Sequence, residues 1–68
     1  MKRIVVAPRE GRHIGCELAE CVASLENAGI RDYSARLERY IIFWVADLLF
    51  HRAAKAMADA GFEIASSA

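Results

Sequence analysis

His13, Cys16 and Cys21 form a His-x2-Cys-x4-Cys spacing, a pattern of side chains that can ligate zinc or pair a thiol nucleophile with an imidazole base. A structural zinc site wants four ligands, drawn mostly from close pairs. Here the only further imidazole, His51, lies far along the chain, so no metal and no cofactor is expected. A cysteine nucleophile needs a base and an orienting group in a cleft, and a short chain has little volume in which to enclose a pocket of several hundred Å³. Five residues of helix turn through about 500°, leaving the two thiols roughly 140° apart. They are badly placed for a disulfide and read as reduced thiols, which points to the cytoplasm. Glu17 and Glu20 read as solvated carboxylates on the polar side of a helix. Gly11 and Gly15 lack the lysine and serine of a phosphate loop. These observations favour a protein without catalytic chemistry.

Binding chemistry is better supplied. Arg36, Arg39, Tyr40, Phe43 and Trp44 fall within nine positions, and Tyr, Trp and Arg are the residues that most often anchor protein interfaces. They are the candidate partner-binding set. A second set is basic: residues 1 to 13 hold Lys2, Arg3, Arg9 and Arg12 against Glu10 alone, in a chain whose formal charge is zero. With Arg31, these side chains are the candidate contacts to nucleic acid.

The elements that must position these residues follow from the pattern along the chain. Sixty-eight residues make one small domain. Lys2 to Ala7 is a β-branched stretch halted by Pro8, so a strand over about 2–7 is expected. Ile14, Leu18, Cys21, Val22, Leu25 and Ala28 recur at three and four residues, which predicts a helix over about 13–28, closed by Gly29. A second helix is expected over about 33–60, followed by a frayed tail over 62–68. Within it, Tyr40 to Phe50 holds four of the six aromatic residues and one charged residue, Asp47. A helix apolar all round must be covered all round. Projected at 100° per residue, Ile42, Phe43, Val45, Ala46, Leu49, Phe50, Ala53, Ala56, Met57 and Ala60 form a core stripe, and Leu37, Tyr40, Ile41, Trp44 and Leu48 form a second stripe for another chain. Asp47, alone in so apolar a run, must face water or be paired. The run is too short to span a bilayer, no signal peptide is seen, and no membrane partner is expected.

Strand, helix, glycine turn, helix resembles the ribbon-helix-helix family of Arc-type repressors over about residues 2–45. Ala7-Pro8-Arg9-Glu10 is similar to the end of that family's strand, and Gly29-Ile30-Arg31-Asp32-Tyr33-Ser34 to its turn. The resemblance implies a mainly α fold, a short N-terminal strand followed by two helices, in an intertwined homodimer whose strands pair across the dimer axis. It also implies DNA readout from alternate strand side chains. In this strand one face is Ile4 and Val6 and the other Arg3, Val5 and Ala7, with few groups to read a base edge. The function expected is therefore a small non-enzymatic homodimeric regulator, of the kind carried by phages and mobile elements, that binds and inhibits or redirects another protein. The alternative is a DNA-binding repressor.

Overall fold

The computed structural model describes residues 1–67. In chain order the elements are β1 (Lys2–Ala7), α1 (Ile14–Asn27), β2 (Tyr33–Leu37), β3 (Ile41–Val45), a 3-10 turn (Asp47–Leu49), α2 (Phe50–Asp59) and β4 (Glu63–Ser67). The strands form one antiparallel sheet in the order β2-β3-β1-β4. A βαββαβ chain with this order is the split βαβ, or ferredoxin-like, arrangement.

The chain is thus a small α+β domain, and the mainly α expectation is corrected. The segment read as one helix over 33–60 is a hairpin, a turn and a helix. Tyr33-Ser34-Ala35-Arg36-Leu37 has the period-2 alternation of a half-buried strand. Ile41-Ile42-Phe43-Trp44-Val45 is all β-branched or aromatic, the composition that fits a pleated surface. Glu38 to Tyr40 reverse the chain, so that Leu37 faces Ile41 and Tyr33 faces Val45. Residues 63–67, expected to fray, are strand β4 along β1; Ala68, the last residue of the expected tail, lies outside the described residues. The intertwined ribbon is corrected too. β1 pairs with β3 on one side and β4 on the other, which leaves it no free edge to offer a second chain.

Ile4 and Val6 of β1 and Ile41, Phe43 and Val45 of β3 point to one face and are buried, together with Cys21 and Leu25 of α1 and Ala53 and Met57 of α2. Both helices therefore cover the same face of the sheet. Burial of each large apolar side chain contributes about 1.5–3 kcal/mol. Each helix closes in one way. Gly29 (φ 82°) and Gly61 (φ 95°) adopt left-handed backbone, and the next residue's N–H reaches back into the last turn, Ile30 to the Leu25 carbonyl at 2.9 Å and Phe62 to that of Met57 at 3.1 Å. This C-cap seats Ile30 and Phe62 in the core.

Candidate functional site

The helices leave the other sheet face open, and its occupants follow from register. Arg3 of β1 lies beside Trp44 of β3, which lies beside Ser34 of β2; one step along, Val5 lies beside Ile42 and Ile42 beside Arg36. Directly opposed residues share a face, so Trp44 lies on the open face toward one end of the strands, flanked by Arg3 and Ser34, with a small apolar strip, Val5 and Ile42, next to it. Trp44, Ile42 and Val5 are partly exposed, and Arg3 and Arg36 are exposed. The Arg36 Nε is 2.9 Å from the Glu38 carboxylate. At the end of the hairpin Arg39 and Tyr40 are exposed, Tyr40 to 40%.

Four of the five residues singled out as partner-binding, Arg36, Arg39, Tyr40 and Trp44, are therefore surface groups of the β2–β3 hairpin. Phe43 is not. Alternation turns it inward, where it is fully buried and meets Tyr33 edge-on at 5.8 Å between ring centroids; it is a core ring with no surface to offer. The second helical stripe is dispersed for the same reason: Ile41 is core, while Leu37 and Leu48 are exposed at separate places. Asp47 faces water, its side chain 69% exposed.

The basic residues are not gathered. Arg3 is on the open face, whereas Lys2 points to the helix side, its Nζ 4.9 Å from the centroid of the Phe50 ring. Arg31 is exposed in the loop between α1 and β2. Arg9 and Arg12 are engaged by acids of α1. Glu17, read as solvated, is fully buried. Its carboxylate accepts the Arg9 backbone N–H at 2.8 Å, the Arg9 Nε–H at 3.0 Å and an Nη2–H at 3.1 Å, with the Arg12 Nε at 3.4 Å. Glu20 accepts from Arg9 at 2.9 Å and from Arg12. The Arg9 guanidinium also lies over the Phe62 ring, 4.3 Å from its centroid. Hydrogen bonding from Arg9, against the cost of burial, holds the Glu17 carboxyl below the ordinary carboxylate range and raises the Arg9 guanidinium further. The cluster ties the end of β1 to α1 and to the start of β4. Its sequence signal was the Glu17/Glu20 pair on one helical face close after Pro8-Arg9; that Glu17 is buried depends on the tertiary fold.

His13 caps α1, its Nδ1 accepting the Gly15 N–H at 3.0 Å. Cys16 is exposed and Cys21 buried, both as free thiols, and burial pushes the Cys21 thiol up to about 12. Among the described residues no group of three or more His, Cys, Asp or Glu side chains could hold a metal ion, and no helix is long and apolar enough to cross a membrane. Comparison with models of known families, with characterised proteins and with solved structures gives no match.

Proposed function

We propose that this chain is a small regulator that docks on another protein and blocks or redirects it, through the sheet face that its helices leave open. The observation that carries the reading is the placement of Trp44 on the central strand β3, between Arg3 and Ser34 and next to Val5 and Ile42. An aromatic ring with arginines around it and a small apolar strip beside it is the composition of an interface anchor and its rim. A protein partner fits better than nucleic acid for two reasons. The chain's formal charge is zero, and two of its basic residues, Arg9 and Arg12, already neutralise acids of the same chain. A backbone-tracking surface depends on free cations. The two free thiols favour a reducing compartment such as the cytoplasm in this reading.

The test is affinity capture from nuclease-treated lysate, read by mass spectrometry, with wild type, Trp44→Ala and Leu48→Ser compared. The captured protein is expected to bind wild type and Leu48→Ser alike. Trp44→Ala is expected to weaken the purified pair by about 30-fold, the loss of one hot-spot anchor, while far-UV circular dichroism stays unchanged. Equal capture by Trp44→Ala, or capture that disappears with nuclease, overturns the proposal.

A further inference from the structure

β2 is an edge strand, with no further strand paired to its outer side among the described residues, and its hydrogen-bond phase can be read. The Glu38 N–H donates to the Tyr40 carbonyl at 3.0 Å, which makes Leu37 and Ile41 a widely spaced pair and directs the backbone of Ser34, Arg36 and Glu38 toward β3. Alternation then directs the N–H and C=O groups of Tyr33, Ala35 and Leu37 away from the sheet. These residues carry side chains on the helix side, where Ala35 and Leu37 are exposed, Leu37 to 44%. Natural edges are usually blunted by lysine, proline or a bulge. The other edge has such a device: the β1–β4 register shifts at Val5/Val6. In β2, Tyr-Ser-Ala-Arg-Leu runs in unbroken register with β3.

We infer that β2 pairs antiparallel with β2 of a second copy of this chain, about a twofold axis at Ala35, joining the two sheets into one. In that register Ala35 faces Ala35 and Tyr33 faces Leu37, so the outward backbone groups of all three residues find partners and the exposed Leu37 gains a ring to pack on. On the opposite face Ser34 stands across from Arg36. Beyond the strand ends Asp32 stands across from Glu38, with Arg36, which pairs with Glu38 in its own chain, diagonal to Asp32 and able to offset the two acids. Neighbouring registers are worse. Centring on Arg36 sets two arginines against each other, a destabilising pair, and centring on Ser34 leaves Leu37 without the Tyr33 contact. The contact follows a five-residue strand, in the small class of interfaces under about 1,200 Å², so association is concentration-dependent. It leaves Trp44 uncovered and does not rest on the docking function proposed above.

Sedimentation equilibrium of the full chain, together with amide exchange by NMR at low and high concentration, tests the pairing. A monomer–dimer equilibrium is expected, with the Tyr33, Ala35 and Leu37 amides slowing as concentration rises and the Ser34 and Arg36 amides protected throughout. Ala35→Lys, at an exposed position, is expected to keep the fold and weaken the dimer by at least about tenfold, because it sets two like charges face to face. Trp44→Ala should leave self-association unchanged. A chain that stays monomeric up to its solubility limit overturns the inference. So does a dimer in which the three outward amides still exchange freely, or an Ala35→Lys variant that dimerises as tightly as wild type.

Discussion

Cys16 and Cys21 lie on one helix, yet their chemistry differs because one faces water and the other lies within the core. Only the thiolate is nucleophilic. Burial raises the Cys21 thiol to about 12, so at pH 8 its thiolate fraction is roughly one part in ten thousand. Iodoacetamide at that pH should therefore add one group to the native protein, at Cys16, and a second only after unfolding, as intact-mass measurement would show. Rapid native labelling of Cys21 would contradict its enclosure. That the two thiols point apart was legible from helical spacing, since α1 is a regular helix and five residues fix the angle; that Cys16 faces water while Cys21 is buried was not, because both small thiols read equally well as buried. Glu17 was not legible in that way. On a helical wheel it is one acid among several, and its burial follows from Arg9 arriving from the end of β1.

Among the elements, those bounded by strong punctuation were readable. Pro8 ends β1 and Gly29 follows α1, and both boundaries fall close to where the sequence puts them. The hairpin lacks such marks: Glu38, Arg39 and Tyr40 turn the chain without glycine, asparagine or proline, the residues that usually announce a tight reversal. A continuous apolar run such as Ile41 to Ala46 satisfies a 100° period nearly as well as a 180° one, and only its β-branched and aromatic content favours strand. The choice between the two periods has a direct test in adjacent rings. With period 2, Phe43 is core and Trp44 is surface. Phe43→Ala should then cost about 3–5 kcal/mol, the usual loss for a buried aromatic and a large part of the stability of a small domain. Trp44→Ala should cost clearly less. Urea denaturation of both variants measures the difference, and equal losses would mean that both rings are core.

For the whole molecule, the ion cluster joins parts that are distant in the chain, because Arg9 touches Glu17 and Glu20 of α1 and the ring of Phe62 before β4. Its effect on stability has a definite sign. The Glu17 carboxyl titrates below its ordinary value of 4.5 in the folded chain and near that value once unfolded. Between the two, the unfolded state binds a proton that the folded state does not, so folding loses stability as pH falls. The contribution is complete above about pH 5 and is lost progressively as pH drops through the folded value. Glu17→Gln removes this titration while keeping an acceptor for Arg9, but it leaves a weaker neutral contact in place of a charge-assisted one. At pH 7 the variant should therefore melt below wild type. The gap should hold down to about pH 5 and narrow below it, because wild type alone still has this proton to gain. Thermal melts of both proteins from pH 7 down to about pH 3 follow the gap directly. If it stays constant across that range, Glu17 is not held charged by Arg9, and the link from β1 through α1 to β4 rests on packing alone.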